Sequence, residues 1–315
     1  AALHTLALSN AANEKISLNP SEFLKQKKKL EEILAKSSAL LARLSALADL
    51  CQQLVKDMEF GFLFDPVKKI FSIGYQAAEQ RLDPGYYDLL TSEVRLESFV
   101  AIAKGDVPAL HWFRLSRSLI SVNHELVLVS WSGSMFEYLM PLLVMQSPAG
   151  SLLDQTCRRI VQRQISYGAE RGVPWGVSES AYNVQNLQLT YQYSNFGVPG
   201  LGLKRWLSED LVIAPYATAL AAMINPVAAL DNFKNLARLG AEGRYGFFEA
   251  LDFTPERLPE NQKVAIVRAY MSHHQGMTLV SLANVLYENI FSPRFHCEPM
   301  VQARDLLLQE RTPRA

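Results

Sequence analysis

The chain has 315 residues, 49% of them hydrophobic, enough for one large domain or two small ones with a full core. Lys plus Arg and Asp plus Glu balance at 31 each, so the formal charge is zero. That argues against a nucleic-acid or anionic-membrane binder, which needs a basic excess.

The opening stretch "AALHTLALSNAAN" has no basic region ahead of an apolar core, so it does not read as a secretory signal. Residues 20 to 58 then read as one long helix with a Ser/Pro-type start, Leu and Ile near helical spacing, and a Lys- and Glu-rich polar face. Residues 1–58 are taken as an N-terminal helical arm and 59–315 as the main domain. "FGFLFDPVKKIFSIGY" (Phe60 to Tyr75) changes period: alternating aromatics flank Asp65-Pro66, a turn signal, and a short β-hairpin is expected.

From Tyr86 onward the texture is helical. Helices are predicted at 86–104, 109–120, 133–146, 150–170, 208–223, 226–240 and 262–288. Asn225-Pro226 supplies a cap followed by Pro at the first position. Strand signals are sparse, so the fold class is expected to be all-α, a toroid of helical hairpins with a site in its mouth. The connecting loops "GVPWGVSES", "YQYSNFGVPGLGL" and "EGRYGFFEALDFTPERLP" are long and aromatic-rich, the texture of a binding surface. The longest strongly apolar run, "LVIAPYATALAAMI" (Leu211 to Ile224), contains Pro215 and is too short to span a bilayer. The three cysteines, Cys51, Cys157 and Cys297, are widely spaced with no C-x-x-C. Reduced, mostly buried thiols are expected.

One phrase recurs: "WSGSMFE" (Trp131 to Glu137), "WGVSE" (Trp175 to Glu179) and "YGFFE" (Tyr245 to Glu249). Each sets an aromatic and a Gly ahead of a Glu at an expected helix start. An aromatic face suits a pyranose ring, and Gly lets backbone approach a ligand. The plain alternative is a capping box, which needs Ser or Thr three residues before the Glu. Ser134 fills that place for Glu137, and nothing does for Glu179 or Glu249.

"DPGYYDLLTSEVRLESF" (Asp83 to Phe99) holds a further acidic cluster. On an ideal helix Asp88 and Glu93 would point about 140° apart, so both face one point only if Asp88 precedes the helix. Arg95 and Glu97 read as solvent or ion-pair residues. The adjacent His273 and His274 of "SHHQGM" lack the i, i+4 spacing that chelates a metal, which leaves hydrogen bonding to a sugar or within the core. The G-x-G of "FGVPGLGLKR" has no preceding strand signal and no third Gly, so it fails as a nucleotide-binding signature.

Six blocks in order carry a specific likeness: "YYDLLTSEVRLESFVAIAKGDVP", "LVSWSGSMFEYLMPLLVM", "GVPWGVSESAYN", "YQYSNFGVPGLGLKR", "GRYGFFEALDFTPERLP" and "VRAYMSHHQGMTLV". They resemble the glycoamylase-like domain of bacterial cyclic β-1,2-glucan synthases, over roughly residues 58 to 313. The resemblance implies an (α/α)₆ barrel acting on β-1,2-glucan; no cofactor or metal is expected. The implied reaction is a transglycosylation that releases the chain as a ring. It implies fusion to glycosyltransferase and phosphorylase-like domains, no nucleic-acid partner, and a soluble segment at the cytoplasmic side of the inner membrane within a larger membrane protein. Two alternatives stay open: an endo-β-1,2-glucanase with water as acceptor, and a non-catalytic module that holds glucan.

The chemistry that the resemblance implies needs two carboxyl groups across the scissile bond. Closing a β-linked ring from a β-linked chain keeps the anomeric configuration, so retention is expected. Glu179 is assigned as nucleophile and Glu93 as acid/base, directly or through a bridging hydroxyl. Asp88, Glu137 and Glu249 are expected to bind sugar hydroxyls. Trp131, Trp175, Tyr182, Tyr191, Tyr193 and Tyr245 are stacking candidates, and Arg268, His273, His274 and Gln275 are candidate donors in the cleft.

Overall fold

The structure, a computed structural model, describes residues 19–122 and 125–311. The opening stretch read for a secretion signal lies outside the described residues. The chain divides into two compact units between Glu59 and Phe60.

The first unit holds α1 (Pro20–Asp57), capped by the Asn19 side chain, which accepts from the Ser21 N–H. Pro20 occupies the first position, where its missing N–H costs nothing. None of the residues of α1 is buried.

The second unit opens with the expected hairpin. Phe64–Asp65 pairs antiparallel with Ile70–Ser72, and Tyr86–Tyr87 adds a third strand. Asp65 caps the turn by accepting from the Val67 and Lys68 N–H groups at 2.8 and 2.9 Å. Its other oxygen accepts from the Tyr86 hydroxyl at 2.8 Å, which ties the turn to the third strand.

The main helices are α2 (Arg95–Lys104), α3 (Leu110–Arg114), α4 (Met135–Leu139), α5 (Leu152–Arg171), α6 (Pro215–Ala222), α7 (Pro226–Arg238) and α8 (Ser272–Leu286). Every residue of α6 is buried; it packs on α7 and α8 and touches α4. The larger core gathers Met135, Tyr138, Ile160, Leu220 and Val267, and a smaller one gathers Phe71, Phe99, Trp112 and Leu128.

Several predicted helices are shorter than expected because strands take their ends. The segment 86–94 is strand and turn, and α2 starts only at Arg95. Residues 119–122 pair with 125–128 in a hairpin instead of extending α3. Val212–Ile213 and Ala265–Val267 flank Ala250–Asp252 in a three-stranded antiparallel sheet, so α6 starts at Pro215 and α8 at Ser272. Proline at 215 also disfavours helix at Ala214. The helix-rich character expected of the fold holds, with more short strands than the one hairpin anticipated. Among the described residues the second unit is helix-rich, with short strands in sheets of two or three and no closed sheet. The cysteine expectation is corrected: Cys157 is buried, whereas Cys51 and Cys297 are exposed.

Candidate active site

A cleft of about 530 Å³ opens on the second unit. Its lining includes Tyr86, Tyr87, Asp88, Glu93, Trp131, Glu137, Glu179 and Asn195. The Asp88–Glu93 geometry is resolved by the late start of α2: both residues lie in the loop before it and reach the same cleft.

The loop carrying Glu93 is clamped from below by Arg95. The sequence reading gave Arg95 a solvent or ion-pair role; it is instead buried, donating to the Leu90 and Tyr138 carbonyls at 3.2 and 3.1 Å. The Thr91 hydroxyl adds a bond to the Val129 carbonyl.

The segment bearing Glu179 is held by side-chain amides that replace a regular ladder. Gln164 on α5 accepts from the Val177 N–H and donates to its carbonyl, at 2.9 and 2.8 Å. Asn232 on α7 does the same for Trp175. The Val177 carbonyl also accepts from the Met135 N–H, at the start of α4. Buried backbone groups off the ladder need such partners. The result is a rigid arm that delivers Glu179 just ahead of the strand Ser180–Gln185.

The three aromatic–Gly–Glu phrases therefore diverge. Only Glu137 sits in a helix, where it forms a full capping box with Ser134. Its carboxylate also accepts from the Ser130 and Ser132 hydroxyls and the Trp131 and Ser132 N–H groups. Glu137 borders the cleft, but its lone pairs are committed to the fold. Glu249 precedes the strand Ala250–Asp252 and is 2% exposed.

Among the carboxylates lining the cleft, Glu93 and Glu179 are the half-buried ones. Burial pushes the Glu93 carboxyl above the ordinary range, and the Glu137 charge adds to this; the Ser92 hydroxyl and Arg95 act the other way. Burial also pushes Glu179 up, helped by Glu93 and Glu137. The Tyr193 hydroxyl, which donates to Glu179 Oε1 at 2.7 Å, and His274 oppose that rise. Tyr87 lies in the same field: its phenol is pushed up by burial and then by Glu93, Glu97 and Glu179.

The other predicted residues are distributed more widely. Trp131 lines the cleft and is 56% exposed. Trp175 is buried in the larger core. Tyr182 and Tyr191 pack against that core, and the Arg257 guanidinium lies 4.9 Å over the Tyr182 ring. Glu249, His274, Gln275 and Tyr245 line a second, smaller cavity of about 240 Å³. Arg268 is exposed and covers the Phe248 ring at 5.2 Å. His273 is exposed, its ring 4.0 Å from that of His274; partial desolvation of the imidazole and then the neighbouring His274 lower its pKa.

The sequence reading missed Tyr86, Tyr87, Asn195 and Tyr216. The tyrosine doublet after Gly85 stood in the quoted acidic block and was a usable signal. Asn195 is fixed by Lys204, which donates to its carbonyl and its side-chain oxygen at 2.7 and 2.6 Å. Tyr216 was hidden in the apolar run. Its ring stacks on His274 at 3.7 Å, and its hydroxyl donates to the Glu179 carbonyl at 2.9 Å.

The second unit is thus a helix-rich scaffold with two desolvated carboxylates facing an aromatic-walled cleft. The Glycoamylase family model matches residues 85–298, a span that includes both carboxylates, and the chain belongs to that family. It is 50% identical over 276 residues to the cyclic β-(1,2)-glucan synthase NdvB of Rhizobium meliloti, covering 88% of this chain and 10% of that protein. The chain thus spans about a tenth of the length of that curated relative. The fold matches the endo-β-1,2-glucanase of Chitinophaga pinensis with a TM-score of 0.65 at 18% identity, covering 85% of this chain and 66% of that one. It matches the β-1,2-glucanase of Parabacteroides distasonis with a TM-score of 0.61 at 14% identity, covering 82% of this chain and 40% of that one.

Proposed function

We propose that this domain cleaves linear β-1,2-glucan and rejoins the cut end to a hydroxyl of the same chain, with retention, on an (α/α)₆ toroid. The observation that carries the reading is the pairing of Glu93 and Glu179 in one cleft, both desolvated, beside a third carboxylate, Glu137, that is saturated with donors.

The partners of the two residues divide the roles. Glu179 has a phenol donor on Oε1 and an imidazole nearby, which favour the ionised form a nucleophile needs. Glu93 has no phenol or imidazole on its carboxyl; burial and the Glu137 charge raise it against a backbone N–H, the Ser92 hydroxyl and Arg95, and we assign it the protonated acid. In the first step Glu179 attacks the anomeric carbon while Glu93 delivers its proton to the departing glycosidic oxygen, directly or through a sugar hydroxyl. In the second, Glu93 takes a proton from the incoming hydroxyl as that oxygen displaces Glu179. Trp131, Tyr86 and Tyr87 offer the aromatic faces and Asp88 and Asn195 the polar contacts for the sugar. In its native setting we place the domain inside a larger membrane-bound synthase, next to glycosyltransferase and phosphorylase-like domains. Among the described residues no helix is long and apolar enough to cross a membrane.

The test is product analysis on linear β-1,2-glucan, by mass spectrometry for rings and by proton NMR for the first-formed anomer. Rings or lengthened chains with retained configuration support the reading. Linear fragments alone would make water the acceptor, as the fold likeness to endo-β-1,2-glucanases favours. Binding without turnover would leave a glucan-holding module, and inverted product would overturn the nucleophilic role of Glu179.

A further inference from the structure

A line of side chains runs from the interior to Glu179. Glu249 Oε1 lies 2.8 Å from His274 Nδ1, His274 Nε2 lies 3.4 Å from the Tyr193 hydroxyl, and that hydroxyl donates to Glu179 Oε1 at 2.7 Å. The two inner members are almost sealed, at 2% and 1% exposure. Glu249 Oε1 also accepts from the Ala181 N–H at 3.2 Å, so it acts as an acceptor and the shared proton sits on Nδ1. The single phenol proton goes to Glu179, so Nε2 bonds the phenol oxygen as a donor, and the line requires the imidazole to be protonated on both nitrogens, opposite Glu249. The Tyr216 ring stacks within 10° of parallel on the imidazole and fixes its plane.

A purely structural role explains this poorly. Glu249 caps no helix, and its Oε2 has no partner although it is buried. Such a group is costly where apolar side chains would pack. Its location behind a residue that touches Glu179 supplies a reason to keep it.

We propose that Glu249 and His274 are positioning residues for Glu179: the buried pair holds the Tyr193 hydroxyl on Glu179 Oε1 and so orients the carboxylate for attack. This rests on the nucleophilic role proposed for Glu179. The charged and titratable groups facing Glu179 are Glu93 from the loop before α2, Glu137 from α4, Tyr87 from the first sheet, Tyr193 from the strand Tyr191–Ser194, Tyr216 from α6 and His274 from α8. Among these, Tyr193 and His274 favour the ionised carboxylate, so removing either moves its titration upward.

The experiment is a carbon-NMR titration of the Glu179 carboxyl in the full chain, assigned by its loss in Glu179→Gln, alongside the pH profile of kcat and KM on linear β-1,2-glucan. Tyr193→Phe removes one hydroxyl, His274→Asn removes the imidazole, and Glu249→Gln is close to isosteric should His274→Asn fail to fold. Expected results are an upward titration shift in each variant and a kcat loss of about 10- to 100-fold with KM little changed. The Tyr193→Phe/His274→Asn double variant should lose no more than Tyr193→Phe alone, because both act through one hydroxyl. An unchanged titration in folded His274→Asn or Glu249→Gln, or losses that multiply in the double variant, overturns the proposal. The titration needs no substrate, so a wild-type chain inactive on glucan would sink the functional reading while leaving this one decided by NMR.

Discussion

Gly197 lies against the backbone of Ser132 so closely that a Cβ would fall 1.8 Å from the Ser132 carbonyl oxygen. A Cβ on Gly202 would meet the same peptide, 2.4 Å from the Ser132 carbonyl carbon. Gly197, with Gly202 of the G-x-G that failed as a nucleotide signature, is thus the contact surface that lets residues 196–202 lie on the turn supplying donors to Glu137.

Gly197→Ala should therefore cost about 3 kcal/mol or more, since the obstructing atoms are backbone and cannot rotate away. Gly276→Ala is the contrasting case. It lies inside α8 with open space around it, so alanine should stabilise by roughly 0.5–1 kcal/mol. Urea unfolding of the two variants should give opposite signs.

Glu179→Gln and Glu93→Gln should each lower kcat by about a thousandfold or more, as loss of a nucleophile or acid does. Glu137→Gln should act differently. Its amide would set a donor against Ser130, Ser132 and Ser134, and the expected loss is stability of about 2–4 kcal/mol. Thermal melting compared with turnover under conditions where each variant is folded separates the two behaviours.

The same carboxylates predict a pH dependence of stability. Folding raises the pKa of Glu93 and of Glu179 above the ordinary value of 4.5. Between that value and the raised one, the folded state binds more protons than the unfolded state. Stability contributed by these groups is therefore present below about pH 4.5 and lost as pH rises through the folded values. The two Gln variants should then melt higher than wild type at neutral pH, with the gap closing on acidification. An unchanged gap across the range would contradict the assignment. For activity, the acid limb should report Glu179 losing its charge and the basic limb Glu93 losing its proton.

Arg95→Met keeps bulk but removes both donors to the Leu90 and Tyr138 carbonyls. A loss of about 1–3 kcal/mol is expected from the unpaired groups. Because Leu90 belongs to the loop that carries Glu93, kcat should fall as well while the folded state persists. Unfolding curves and kinetics on the same sample check both.

Much of the architecture was legible from local pattern. The α5 and α7 predictions fall within two residues of their observed bounds, because Ser151 and Asn225 announce their starts. The hairpin at Asp65-Pro66 was likewise written in its turn chemistry. The strands at 212–213, 250–252 and 265–267 were not. Each is two or three residues long and exists only because distant segments complete its hydrogen bonds, which local periodicity does not record.

The site divides along the same line. By itself the sequence determined that Glu93 and Glu179 stand among aromatics and glycines, and that Ser134 can cap Glu137 but nothing caps Glu179. Three similar phrases still gave three acids of equal standing. Tertiary structure separated them by deciding which donors converge on each: a ring of serines on Glu137, an imidazole and one amide on Glu249, a single phenol on Glu179. A carboxylate's reactivity depends on how many of its lone pairs are already taken and how much water it has lost. Both are set by neighbours far away in the chain.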